Sequence, residues 1–153
     1  MSRAFVREED GGKGGDELPE RSISPHANYV TSAGLALIEA ELARLQAEQD
    51  AAAGDAARQA RIGRDLRYWR ARRSSAEVVP PPAGNATVRF GSTVTIAGED
   101  GQKRTFRVVG EDEADPAKGS VSYMAPIARQ LIGKGVGDTV QIAGGEAAIV
   151  RIA

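Results

Sequence analysis

The sequence predicts an α+β protein: an N-terminal antiparallel helical hairpin followed by a mostly antiparallel β domain with one short helix. Three observations carry this. Apolar residues recur at spacings of three and four between Thr31 and Glu77, with one interruption at "AAAGD". The run "VVPPPAGNA" then stops any helix, because consecutive prolines favour extended polyproline geometry. Beyond it the apolar period falls to two, the signature of strands.

Residues 1–28 read as a flexible tail. "EEDGGKGGDELPER" is rich in glycine and charge and buries too little apolar surface to offset the entropy of ordering it. Phe5 and Val6 are a single apolar pair, too small to order such an arm. Residues 29–79 form the hairpin. Leu35, Ile38, Leu42 and Leu45 make one seam, with Thr31 or Ser32 able to cap its start. Ile62, Leu66 and Trp69 make the second, which assigns Trp69 to packing rather than ligand stacking. Gly54 and Asp55 are the natural breaker, glycine supplying a left-handed residue and aspartate a cap. Residues 80–153 form the β domain. Asp100-Gly101 signals one hairpin turn, and "AGGEA" a second in which Gly144 and Gly145 supply positive φ angles. The short helix is "PIARQLIG", opened by Pro126 and stopped by Gly133.

The charges of the two helices are complementary. Residues 31–50 carry four acids against Arg44, and residues 56–77 seven arginines against Asp65 and Glu77. Pairing along the flanks follows. A nucleic-acid stripe is the sharper reading of the arginines, but Arg58, Arg61, Arg64, Arg67 and Arg70 wind around the helix at 100° per residue instead of lining one side. Arg70, Arg72 and Arg73 near the base remain candidates for touching a partner.

Composition excludes much chemistry. The net charge of −1 gives no bulk attraction to polyanions, and 5% aromatics is thin for base stacking. With no cysteine there is no disulfide or thiolate metal site, which fits a cytoplasmic setting. His26 is the only histidine and has no co-ligand nearby, so no cofactor or metal is expected. No apolar run is long enough for a membrane span, and the charged N-terminus lacks a signal-peptide core. Two carboxylate groupings remain. Asp50 and Asp55 flank the hairpin tip and could share a Mg²⁺ ion, although an exposed helix end and an N-cap account for them better. Glu111, Asp112, Glu113 and Asp115 crowd one loop, without EF-hand spacing, and read as a solvated turn cornered at Asp115-Pro116.

Together, "VRFGSTVTI", "FRVVGEDEAD" and "APIARQLIGKGVGDTVQI" resemble the C-terminal domain of the GreA/GreB transcription elongation factors. "YVTSAGLALIEAELARL" resembles the start of their N-terminal coiled coil, so the likeness runs from about Tyr29 to Ile152. It implies an FKBP-like β domain and, as partner, RNA polymerase, bound at the β′ rim of the secondary channel by a monomer. Nucleic acid would be touched at most indirectly. It also implies polymerase-binding roles for Tyr123, Met124, Ala125, Pro126, Ile127 and Arg129, a proline-led apolar turn suited to a small hot spot. Ala125 stands where the family commonly has serine. Cleavage-stimulating members carry an Asp-x-x-Glu-Asn-Ala-type motif at the hairpin tip, and residues 46–60 do not match it. The hairpin resembles the shortened coiled coil of Rnk-like relatives, short by two to three turns per helix, roughly 11–16 Å. The resemblance therefore implies a non-enzymatic elongation regulator. A true cleavage-stimulating factor, an FKBP-like prolyl isomerase and a direct nucleic-acid binder are the alternatives. The isomerase is disfavoured because residues 80–153 offer only Phe90, Phe106 and Tyr123 to line a pocket.

Overall fold

A computed structural model describes residues 18–153. Phe5 and Val6, with the rest of residues 1–17, lie outside the described residues. The chain divides into two units. One holds residues 39–74 with the described N-terminal stretch up to Pro25; the other holds residues 26–38 and 75–153.

The first unit is the predicted hairpin. Helices α1 (Ser32–Ala51) and α2 (Ala56–Ser75) each have 20 residues, about 30 Å at 1.5 Å per residue. Leu45, Ala52, Ile62 and Leu66 form its buried cluster, with Leu42 and Trp69 half-buried against them. The seams thus meet as their spacing dictates. Gly54 at φ 90° makes the turn, and Asp55 caps α2 by accepting the Arg58 N–H at 3.1 Å.

The stretch from Leu18 to Pro25 differs from the expected tail. Glu20 takes two hydrogen bonds from the Arg67 guanidinium, at 2.6 and 2.9 Å. Arg21 reaches Asp65 at 3.3 Å and lies over the Tyr68 ring, 3.9 Å from its centroid. This part of the arm is ordered by charge and cation–π contact with α2, not by apolar burial. The helix charges also pair differently from expectation. Arg73 meets Glu39 at 3.4 Å across the hairpin, but Arg67 is satisfied by the N-terminal stretch and Arg44 by Glu41 and Glu48 of its own helix.

The second unit is the β domain, and the structure adds a strand pair that the sequence did not announce. Strand β1 (Tyr29–Val30) runs parallel to β2 (Glu77–Val78), through the Glu77 N–H to Asn28 and the Val79 N–H to Val30. The main sheet comprises β3 (Thr93–Gly98), β4 (Lys103–Val109), β5 (Ser120–Ser122), β6 (Thr139–Ile142) and β7 (Gly145–Ile152), in the order β5-β4-β3-β7-β6. All neighbours are antiparallel except β4 and β5. Helix α3 (Pro126–Leu131) starts at Pro126, and Gly133 follows it at φ 89°. Ala128 and Leu131 of α3 join Val94, Ile96, Val108 and Ile149 in the core.

Two local expectations change. In "AGGEA" only Gly145 has positive φ, at 118°; Gly144 does not. In β7 the pairing with β3 skips Val150, so Ile149 and Ile152 both face the core while Val150 is exposed. One bulged residue resets the alternation.

Candidate protein-docking surface

The surface around α3 is built from the loop that leaves β5. The Tyr123 N–H bonds the Val109 carbonyl at 2.9 Å, and the Ser122 hydroxyl takes the Met124 N–H at 3.0 Å. These bonds fix the loop before the helix, and Pro126 enters α3 at its first position, where its missing N–H costs nothing. The six residues that the resemblance singled out separate into two groups. Pro126 and Arg129 are exposed and Met124 is half-buried, so these three reach the surface. Tyr123, Ala125 and Ile127 pack against the domain core, which makes them supports of the surface more than its face.

Behind Pro126 and Ile127 lies a hollow of about 430 Å³, floored by Phe106, Val121 and Ile142 and edged by Arg104, Gln130 and Gln141. Phe106 is its aromatic side chain. Tyr29, Phe90 and Tyr123 form a mutual edge-on trio with ring centroids 5.5–6.2 Å apart. The Tyr123 hydroxyl donates to the Ala27 carbonyl. The trio joins segments up to 94 positions apart, so nothing in local spacing signals it.

The acidic loop has a structural task. Thr31 caps α1 by accepting the Gly34 N–H at 2.9 Å, and its hydroxyl donates to the Glu113 carboxylate at 2.6 Å. A carboxylate at a helix N-terminus is favoured by the helix dipole. Glu113 also lies 3.9 Å from the Arg107 guanidinium. Asp115 opens a short 3₁₀ turn, Pro116–Lys118, close to the predicted corner.

At the hairpin tip Asp50 accepts a hydrogen bond from Gln46 at 3.3 Å, while Asp55 is the α2 cap. Among the described residues no three His, Cys, Asp or Glu side chains converge as a metal ion would require. Nor is any helix among them long and apolar enough to cross a membrane. Of the basal arginines, Arg72 is buried at 1% exposure and is withdrawn from any surface role; Arg70 bonds Gln46 and Arg73 pairs with Glu39.

Comparison with known proteins agrees with this architecture. Residues 83–152 match the family model described as transcription elongation factor GreA/GreB, C-terminal. GreB of Yersinia pestis is 38% identical over 144 aligned residues, covering 79% of this chain and 84% of that protein. The chain belongs to the GreA/GreB family. GreA of Ruegeria pomeroyi is 34% identical over 134 residues, covering 74% of this chain and 86% of that protein. Other GreA relatives match over a shorter run, and this chain spans about half their length (45% and 49% for two of them). The crystal structure of GreA factor homolog 1 of Thermus thermophilus is 22% identical, with a TM-score of 0.41 over 84% of this chain and 99% of that one. The longer Gre alignments leave positions empty. The Ruegeria alignment takes in 74% of 153 residues, about 113, so about 21 of its 134 positions have no residue here.

Proposed function

We propose that this protein is a non-enzymatic regulator of transcription elongation that binds RNA polymerase at the rim of the secondary channel and does not stimulate transcript cleavage. The observation that carries the reading is the hairpin, with two 20-residue helices and a tip where Asp50 bonds Gln46 of its own helix and Asp55 caps α2. About 21 unfilled positions, if shared between two helices, correspond to about three turns each, or some 16 Å of reach. A carboxylate that far from a metal contributes nothing, because inner-sphere coordination needs about 2 Å.

Anchoring is supported by family membership and by the presented side chains Met124, Pro126 and Arg129 on a loop held by backbone bonds. The functional analogy is then to short-hairpin, Rnk-like relatives. The protein acts in the cytoplasm as a monomer, occupies the channel mouth and competes there with cleavage-stimulating Gre factors.

A stalled-complex assay tests this, with labelled RNA, purified polymerase and a Gre factor as positive control. The expected result is no cleavage by this protein and inhibition of Gre-driven cleavage. Robust cleavage, lost on Asp50→Ala or Asp55→Ala, would overturn the first part. Undiminished Gre-driven cleavage at saturating protein would overturn the shared site.

A further inference from the structure

Residues 18–25 lie against α2 without entering the hairpin core. None of the eight is buried, and Arg21 and Ser24 alone among them are half-buried. The buried cluster of the hairpin, Leu45, Ala52, Ile62 and Leu66, takes no member from them. The stretch is held by charge instead. Glu20 accepts both bonds of the Arg67 fork, and the two side chains are 61% and 57% exposed. Arg21 meets Asp65 at 3.3 Å and lies 3.9 Å from the centroid of the Tyr68 ring. Exposed pairs of this kind are individually weak and are screened by salt. Near Leu18 the fit is open. A hollow of about 630 Å³ lies between Leu18 and Pro19 on one side and Gln49, Ala60 and Gly63 on the other.

Detachment would therefore leave the hairpin's buried cluster complete. The groups left behind fare unequally. Asp65 keeps Arg64, whose Nε is 3.8 Å away. Arg67 loses the carboxylate that takes its fork, and the Tyr68 ring loses its guanidinium cover. Pro19 and Pro25 restrict the detached chain, so release gains less entropy than it would for a freer segment. Attached and detached states then differ by a few weak, salt-sensitive contacts, which is the balance a switch requires.

We propose that residues 18–25 are a releasable strap. Salt opens it as a unit, the hairpin stays folded without it, and opening uncovers the Arg67 guanidinium and the Tyr68 ring. Ionic strength then sets how much of that surface α2 offers. The strap is independent of the polymerase reading, and its test contains no polymerase, so either can fail alone.

The test is the rate at which trypsin cuts the Arg21–Ser22 bond of the full-length protein, followed by mass spectrometry. Trypsin must take the Arg21 side chain into its own pocket, and the closed strap withholds it. From about 0.1 M to about 1 M sodium chloride the screening length falls from about 10 Å to about 3 Å, and cutting should quicken about tenfold. In Glu20→Gln, and in Asp65→Asn as a second release variant, cutting should be fast at both salts. Their indifference to salt also corrects for any effect on the protease. Exchanging the pair, Glu20→Arg with Arg67→Glu, should restore slow cutting at low salt. Circular dichroism should show the same helical content in every protein at both salts. Equal low-salt rates in the wild type and both release variants, or a wild-type rate indifferent to salt, would overturn the proposal. So would a folded exchanged pair that fails to protect the bond, or loss of wild-type helical signal over the same salt range. Protection that rises with protein concentration would overturn it as well, because the stretch would then grip α2 of a second copy.

Discussion

Glu20 illustrates how one residue changes the meaning of a segment. Its bonds to Arg67 hold its carboxyl below the usual carboxylate range, with the Arg67 and Arg64 charges adding to the effect and partial desolvation opposing it. The sign follows from linkage. A depressed carboxylate pKa in the folded state contributes stability above the ordinary value and loses it as pH falls through the folded value. The N-terminal stretch should therefore detach from α2 in acid, below the normal glutamate range. Trp69 is the sole tryptophan and lies 5.8 Å from Arg21, so its emission should report the release. Glu20→Gln should show the released spectrum already at neutral pH. An identical acid transition in both proteins would remove Glu20 from the explanation. A second residue-scale constraint sits at Gly110, where an added Cβ would collide with the Tyr29 carbonyl oxygen. Gly110→Ala should cost about 1–3 kcal/mol through overpacking, measured by thermal melting. Neither feature has a periodic signature, and the acidic loop beside Gly110 reads as solvated until Glu113 is placed at the α1 terminus.

Among the elements, α3 carries both core-packed and exposed side chains. Ile127 packs against the core whereas Arg129 is exposed. Arg129→Glu and Met124→Asp should weaken polymerase binding with melting temperature nearly unchanged. Ile127→Asp should lower the melting temperature sharply, because it places a charge in a largely apolar site. An Ile127→Asp protein that melts normally would return that side chain to the presented surface. In the hairpin, Leu66 is 2% exposed, and Leu66→Ala should cost roughly 2–5 kcal/mol, seen as early loss of helical signal. Trp69, only half-buried, should cost less than its size suggests. The long elements were legible because each declares its own period: two apolar seams, alternating strands and a proline-led helix. The two-residue strands β1 and β2 were not, because a parallel pair across 48 positions has no local period to read. The presented and supporting halves of the Tyr123–Arg129 group were likewise beyond the sequence, since burial there is decided by Phe106, Ile142 and other distant residues.

At the scale of the whole molecule, the β unit is discontinuous in sequence. It takes residues 26–38 from before the hairpin and everything from Ser75 onward. A cut at the proline run, natural from sequence, removes Val30 (3% exposed), the Tyr29 ring and the Thr31 partner of Glu113. A fragment of residues 80–153 should lose about 2 kcal/mol from the Val30 burial alone. For a domain of this size that is on the order of 10 °C in melting temperature, against the β unit in the full chain. Adding a peptide of residues 26–38 should recover part of it. Equal melting of the fragment and the full chain would mean that the leading segment is dispensable.

The parallel pair β1 and β2 has a further consequence for how this lineage can vary. It clasps the chain just before α1 and just after α2, so the arm leaves and re-enters the β unit at neighbouring points whatever its length. Eleven residues make three turns plus about 20°, so adding or deleting eleven per helix keeps both seams nearly in phase. Arm length is then an evolutionary variable uncoupled from the body that carries it. A chimaera with both helices extended by eleven residues from a longer relative should keep its body intact and gain reach, whereas five in one helix would turn its seam away from its mate.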